Sequence, residues 1–286
     1  MPRPGEGQYL TSKDGTKIWA DASGDPSKPH VVFIHGLACT ALAFEKQFSD
    51  PNLLNNLYMV RYELRGHGRS DQPSNAEAYE SIRYAEDYRT VCEAYNLKKP
   101  FICGWSYGAL IPVDVIDAYG ADDIAGIIYA GGPMLTRYLH SQYIHPTIAS
   151  LIPALLDPSP DALPTGARLF VESCVENPEE TLPFDTKIKW IGGTLMQTPT
   201  ARTHTVMRGQ NTKRWEEEIK NIPALLIQGE ADRHSQTEKL IPVAHQWVPK
   251  LDVVVLKGVG HAPAFENAVD TNRALLEFVQ RVTSGN

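Results

Sequence analysis

The stretch Phe101-Ile102-Cys103-Gly104-Trp105-Ser106-Tyr107-Gly108 constrains the chain more than any other. A short apolar run leads into a serine bracketed by glycines two positions away on each side. Helix-forming residues follow, Ala109 to Tyr119. The G-x-S-x-G spacing is that of a nucleophile elbow, a serine held on a sharp strand-to-helix turn. A side chain at either bracketing position would collide with the strand or the helix, and glycine has none. The same turn places the Ser106 hydroxyl at a helix N-terminus, with the Tyr107 N–H aimed at any negative charge forming nearby. Taken alone, the pentapeptide is equally compatible with an ordinary loop, so its partners elsewhere in the chain decide the matter.

The rest of the chain supplies strands and helices in alternation. Gln8 to Ser12 and Thr16 to Ala20 flank Lys13-Asp14-Gly15, a hairpin signal. Val31 to Ile34, Tyr58 to Tyr62, Phe101 to Cys103, Ile124 to Ala130, Ala224 to Gln228 and Leu251 to Leu256 read as further strands. The continuous apolar run Val31-Val32-Phe33-Ile34 suits a strand buried on both faces. Between the strands, helical patterns are expected over Ala43 to Phe48, Ala76 to Asn96, Thr237 to Trp247 and Val269 to Val282. Strands joined by helical crossovers predict an α/β fold with a mostly parallel sheet covered on both faces. From Met134 to about Trp215 the alternation stops. Prolines recur there, at 146, 153, 158, 160, 164, 178, 183 and 199, between short apolar pieces such as Ile148 to Leu156, Ala167 to Val175 and Ile188 to Met196. This reads as a helical insertion.

Composition narrows the function classes. The 286 residues carry 27 Lys and Arg against 34 Asp and Glu, a net charge of -7. No basic run exceeds Lys98-Lys99, which argues against a nucleic-acid or anionic-membrane partner. The opening Met1 to Gly7 has no apolar segment of the kind a signal peptide needs, and no stretch reaches the ~20 apolar residues of a membrane span. The four cysteines, Cys39, Cys92, Cys103 and Cys174, show no metal-binding spacing. Cys92 and Cys103 read as buried thiols. A reduced, cytoplasmic protein is the expectation. Neither a GxGxxG fingerprint nor a phosphate loop appears, and the chemistry expected below needs no metal or cofactor.

A serine hydroxyl needs a base within hydrogen-bond reach, and the base needs an orienting acid. In open α/β sheets such groups gather beyond the carboxyl ends of strands. Asp232 follows the run Ala224 to Gln228, in Gly229-Glu230-Ala231-Asp232. His261 follows Leu251 to Leu256, in Gly258-Val259-Gly260-His261. The loop after Ala130 holds Gly131-Gly132-Pro133 and offers no carboxylate. Glu230 is the rival to Asp232; Asp232 is preferred because it lies farther into the loop. His30, His140, His145, His204, His234 and His245 lack a supporting motif, and His67 reads as a structural hydrogen-bonder in a glycine turn. In His35-Gly36-Leu37, Leu37 is the candidate for a second backbone donor beside Tyr107, completing an oxyanion hole.

These segments together resemble the α/β-hydrolase superfamily: His35-Gly36, Gly104-Trp105-Ser106-Tyr107-Gly108, Asp232 and Gly260-His261. The turn Arg65-Gly66-His67-Gly68-Arg69-Ser70 is similar to the arginine-glycine turn of its small, cofactor-free members, although Glu63 stands where many of them have aspartate. The resemblance implies an α/β-hydrolase fold with a mostly parallel eight-stranded sheet and a helical cap after the sixth strand. Residues 1-133 and 216-286 would form the core and 134-215 the cap. Ser106, Asp232 and His261 would be the catalytic triad of a serine hydrolase acting on a small carboxylic ester or lactone. Cap residues Tyr138, Tyr143, Phe170, Trp190 and Met196, with Trp105 beside the nucleophile, would line an apolar substrate pocket; simple packing is the competing reading of each. Carbon-carbon hydrolysis, perhydrolysis or cyanohydrin cleavage on the same triad, and slow-turnover ligand reception, stay open. Epoxide hydrolases and haloalkane dehalogenases carry aspartate at the nucleophile position, which Ser106 speaks against.

Overall fold

In the computed structural model, residues 7–157, 159 and 161–285 are described, so Met1 to Glu6, Pro158, Pro160 and Asn286 lie outside the described residues. The strands are β1 (Gln8–Thr11), β2 (Lys17–Gly24), β3 (His30–Ile34), β4 (Tyr58–Tyr62), β5 (Phe101–Gly104), β6 (Gly126–Ala130), β7 (Ala224–Gly229) and β8 (Leu251–Leu256). They form one eight-stranded sheet in the order β1-β2-β4-β3-β5-β6-β7-β8. β1 and β2 pair antiparallel, as do β2 and β4; every later pairing is parallel. The Asp14-Gly15 hairpin forms as its turn chemistry requires: Gly15 takes a φ of 90°, and Ser12 N–H donates to the Thr16 carbonyl over 2.8 Å.

All four residues Val31 to Ile34 are buried, as are all of β5, β6 and β7. Two apolar cores result, one on each face of the sheet. Tyr62, Tyr84, Leu110 and Trp215 belong to one, and Phe33, Phe44, Phe101 and Phe278 to the other. Fully burying each such side chain contributes on the order of 1.5–3 kcal/mol.

Several helix boundaries depart from expectation, for local reasons. The stretch 76–96 is a 3-10 turn, Ala76–Tyr79, and a helix, Ser81–Ala94, separated by Glu80 in extended backbone. Residues after the elbow enter through a 3-10 turn, Ser106–Leu110, before the helix Ile111–Tyr119, whose first turn tolerates Pro112 because that N–H has no helical acceptor. Between β6 and β7 the prolines start helices more often than they break them. Pro146, Pro178 and Pro199 open Pro146–Leu156, Pro178–Thr181 and Pro199–Met207. Ala162–Ser173, Phe184–Met196 and Lys213–Glu218 complete the main helices of this region. Cys39, Cys103 and Cys174 are buried and Cys92 is half-buried, all four as free thiols. Among the described residues, no helix is long and apolar enough to cross a membrane.

Candidate active site

Ser106 sits immediately beyond β5 with a φ of 54°, the left-handed region that a non-glycine residue enters only at a cost of about 1–3 kcal/mol. The bracketing glycines make the turn possible. A Cβ on Gly108 would lie 2.2 Å from the Ile34 carbonyl oxygen, and one on Gly104 would lie 2.7 Å from the Gly108 oxygen. Backbone bonds fix the elbow from both sides: Ser106 N–H donates to the Gly131 carbonyl over 3.1 Å, and Met134 N–H donates to the Ser106 carbonyl over 3.1 Å.

Beyond β8, His261 is buried and its Nδ1 lies 3.0 Å from Asp232 Oδ2 and 3.1 Å from Oδ1. Asp232 also accepts from the His234 and Ser235 N–H groups, over 2.6 and 3.0 Å, and from Gln228 Nε2 over 2.9 Å. Burial alone would raise this carboxyl. The His261 imidazole beside it and the His234 N–H outweigh that and hold it well below the usual carboxylate range. Glu230, the rival acid, is exposed at the end of β7. The indole Nε1 of Trp105 donates to the His261 carbonyl over 2.8 Å, tying the two loops together.

Ser106 and His261 line one narrow cleft, with Gly36, Leu37, Trp105 and Trp190 also on its wall. Among the hydrogen bonds of the described residues, none joins the Ser106 hydroxyl to His261. A second, larger cavity of about 190 Å³ also borders Ser106. Leu37, Ile144, Ile148, Ile152, Phe170 and Val206 give it an apolar wall, and Arg137, His140 and His234 a polar one. A surface cavity of about 860 Å³ lies where β3 and β5 begin, lined by His30, Lys98, Phe101 and Pro223, at the end of the sheet away from Ser106.

The turn His35-Gly36-Leu37 packs on the elbow, and a Cβ on Gly36 would lie 3.2 Å from the Ser106 Cβ. His35 Nε2 accepts the Leu64 N–H over 3.1 Å, so its Nδ1 carries the proton and donates to the Gly36 carbonyl over 2.8 Å. Burial lowers His35 to about 4 and keeps it neutral. His67 is a structural hydrogen-bonder as expected. It accepts from Gln197 Nε2 over 3.2 Å, and its Nδ1 lies 3.1 Å from the Arg65 carbonyl. Glu63 anchors the same turn by accepting from Arg69 N–H and Nη2, both over 2.6 Å.

The aromatic residues expected around the pocket divide. Trp105, Trp190 and Phe170 do border Ser106. Tyr138 does not: it is 74% exposed, on the outer side of the short helix Arg137–His140. Met196, 55% exposed, is likewise on the surface. Tyr143 is fully buried, but its hydroxyl is consumed by packing, donating to the Pro133 carbonyl over 3.0 Å and accepting from Leu135 N–H over 2.9 Å.

Three residues near the site escaped the sequence reading. Gln228 bridges two loops, accepting from Gly132 N–H over 2.8 Å while donating to Asp232. Gly132 leaves room for the acid-imidazole pair: a Cβ there would lie 2.3 Å from His261 Nδ1 and 2.6 Å from Asp232 Oδ2. His234 is buried against Phe170, with its Nε2 2.8 Å from Ser173 Oγ. Only the Gly131-Gly132 pair carried any prior signal, as two glycines directly after a strand.

Comparison with known proteins agrees with this architecture. The sequence model of the alpha/beta hydrolase family matches residues 31–274. A provisionally assigned aryl esterase from Burkholderia cenocepacia superposes with a TM-score of 0.87 at 26% identity, over 98% of this chain and 100% of the other. An esterase from Rhodococcus sp. ECU1013 shares the fold with a TM-score of 0.86 at 23% identity, over 96% of this chain and 99% of the other. Among curated relatives, a non-heme chloroperoxidase from Streptomyces lividans is 33% identical over 99 residues, covering 35% of each chain. A probable oxidoreductase from Mycobacterium tuberculosis is 28% identical over 138 residues, 48% of this chain and 23% of the relative, so the match spans about a quarter of that protein's length.

Proposed function

The chain belongs to the alpha/beta hydrolase family, and from that premise we propose that it is a serine hydrolase cleaving a small carboxylic ester or lactone through an acyl-enzyme. The observation that carries the reading is the shared cleft. A serine held in left-handed backbone at an elbow and an imidazole paired with a buried carboxylate open onto one space. The esterase from Rhodococcus and an enol-lactonase from Burkholderia xenovorans, TM-score 0.76 at 17% identity over 96% of this chain and 100% of the other, share the fold. Their names, esterase and enol-lactonase, support an ester or lactone as the substrate class.

The mechanism follows from the groups. Asp232 accepts a hydrogen bond from His261 Nδ1–H, leaving Nε2 free to take the Ser106 proton as Oγ attacks the carbonyl. That hydroxyl-imidazole contact closes when substrate is seated, as catalytic hydrogen bonds commonly tighten on binding. The Leu37 and Tyr107 N–H groups hold the oxyanion; losing one such donor typically costs about 3–4 kcal/mol of barrier. His261 returns its proton to the leaving alcohol, then activates water to release the acid. Residues 134–215 act as a cap over the Ser106 cavities. At about 190 Å³ the larger cavity is smaller than the roughly 300–1,000 Å³ of a drug-sized site, so the substrate is small.

Turnover of 4-nitrophenyl acetate and butyrate by the wild type and by Ser106→Ala tests the reading. The wild type should hydrolyse one or both; a Ser106→Ala protein acting at the wild-type rate would refute it. Perhydrolysis is a second reading, favoured by the chloroperoxidase name of the Streptomyces relative. Hydrogen peroxide would replace water in attacking the acyl-enzyme, releasing a peracid and the free serine. Peracid formation from acetate ester and peroxide distinguishes it.

A further inference from the structure

The larger cavity beside Ser106 has one wall unlike the rest. Arg137 and His140 stand three residues apart on one short helix, so both side chains reach the same space. Arg137 is half-buried. Its backbone N–H donates to Gln210 Oε1 over 3.3 Å, but among the described residues its guanidinium makes no hydrogen bond and no ion pair.

The other buried arginines show how unusual that is. Arg65 is paired with Asp87 at 2.6 Å and Asp14 at 2.8 Å, and Arg208 with Asp114 at 2.7 Å. Arg202 donates to three carbonyls, those of Leu155, Thr194 and Gln197. Arg65 and Arg208 are matched by carboxylates, and the two Nη groups of Arg202 by carbonyls, although its Nε has no partner among the described residues. Arg137, without such a partner, lines a cavity whose described lining contains no aspartate or glutamate. Arg208, nearby, is already neutralised by Asp114. Burial pulls the guanidinium below its ordinary range, the direction an unmatched cation takes.

His140 adds a second donor. Burial lowers it to about 4, so near neutral pH it is an uncharged imidazole with one N–H to give. Its ring makes an edge contact with Tyr143, centroids 5.4 Å apart, and takes part in no hydrogen bond among the described residues.

We infer that the substrate carries a carboxylate, a short chain away from the scissile carbonyl, and that Arg137 seats it with His140 as a neutral second donor. The planar guanidinium matches a carboxylate bidentately. The apolar remainder of the cavity takes the connecting methylenes. The inference rests on the hydrolase reading above and names its substrate class: half-esters of small dicarboxylic acids, or lactones and esters with a pendant carboxylate. The anion serves positioning and specificity; it takes no part in bond cleavage.

Two matched ester pairs test it by pH-stat. One is monomethyl glutarate against methyl pentanoate, with the charge on the acyl side. The other is 4-acetoxybenzoate against phenyl acetate, with the charge on the alcohol side. In at least one pair, kcat/KM should favour the anionic ester by roughly ten- to hundredfold, the worth of a charge-assisted bidentate contact. Arg137→Met should bring that ratio towards one, and Arg137→Lys should keep part of it. Both esters of a pair are read on one protein, so loss of folded enzyme cancels from the ratio. In parallel, calorimetry with glutarate on Ser106→Ala should show binding that weakens at least tenfold when Arg137→Met is added. Hydrolysis of the neutral esters with no anionic preference in either pair, and with Arg137-independent glutarate binding, overturns the inference and leaves the hydrolase reading standing. Arg137-dependent glutarate binding with none of the four esters turned over keeps the carboxylate seat at Arg137 and counts against the ester-hydrolase reading.

Discussion

The imidazole of His234 lies stacked on that of His261, ring centroids 3.8 Å apart and planes 26° from parallel. Ser173 donates its one hydroxyl proton to the Phe170 carbonyl over 2.7 Å, so the 2.8 Å contact between His234 Nε2 and Ser173 Oγ has the imidazole as donor. The tautomer and the ring plane of His234 are thereby set. Burial holds it well below the ordinary histidine range, so it presents a neutral flat surface to the proposed base. His234 is a positioning residue in this account. Replacing it by leucine should lower kcat about three- to tenfold, the value of one aromatic stack. His234→Phe, which keeps a flat ring, should recover most of the loss. Steady-state kinetics of both variants check this; an unaltered kcat in His234→Leu would show that the stack positions nothing.

Gly132 has a φ of 43° and packs its α-carbon against the His261-Asp232 pair. A methyl group there must push the imidazole aside. Gly132→Ala should therefore lose at least about a hundredfold in kcat/KM while costing only about 1–3 kcal/mol in stability. Kinetics and urea midpoints measured on one preparation separate the two effects. Equal activity in wild type and variant would mean that His261 has no need of its observed place.

Asp232 and Glu230 lie two residues apart and differ completely in setting, one buried under four hydrogen-bond donors and the other exposed. Asp232→Asn should reduce kcat by about 10³–10⁴-fold, because the amide disturbs the Nδ1–H tautomer. Glu230→Gln should stay within about twofold, as exposed substitutions usually do. Reversed magnitudes would reassign the orienting acid.

His35 and His67 meet edge to face, centroids 5.1 Å apart, and burial lowers them to about 4 and about 3 from an ordinary 6.5. Between these values and 6.5 the unfolded chain binds protons that the folded chain refuses. Stability is therefore full above pH 6.5 and falls as pH drops towards 4. At pH 5 each histidine should have removed about 2 kcal/mol, an order-of-magnitude figure. Urea unfolding at pH 8, 6.5 and 5 reads this directly. A flat midpoint across that range would contradict the neutral burial of the pair.

Much of this architecture was legible in the chain. Continuous apolar runs such as Val31 to Ile34 can only be strands buried on both faces in an alternating pattern, and Asp14-Gly15 can hardly be other than a hairpin turn. The order Ser106, Asp232, His261 followed from where polar residues stood relative to those runs. What escaped was set by contacts distant in sequence. His234 lacks any local motif; a helix 60 residues earlier buries it. Gln228 reads as the polar end of a strand until β6 and β7 bring Gly132 beside it. Tyr138 and Tyr143 are the same residue type with opposite fates, because Tyr138 stands on the exposed side of the helix Arg137–His140 and Tyr143 lies in the turn after it, buried against Pro133 and Leu135. The prolines that recur between the short apolar pieces include three that open helices, Pro146, Pro178 and Pro199, a placement that periodicity in a short apolar piece does not resolve.

The proposed chemistry depends on Ser106 as the nucleophile and His261 as the base that activates it. A fluorophosphonate probe followed by peptide mass spectrometry tests this most directly. A single stoichiometric adduct on Ser106 is expected, formed at least about a hundredfold more slowly in His261→Gln, in line with the loss of a general base. An adduct on another serine, or labelling of Ser106 at an unchanged rate without His261, would contradict it.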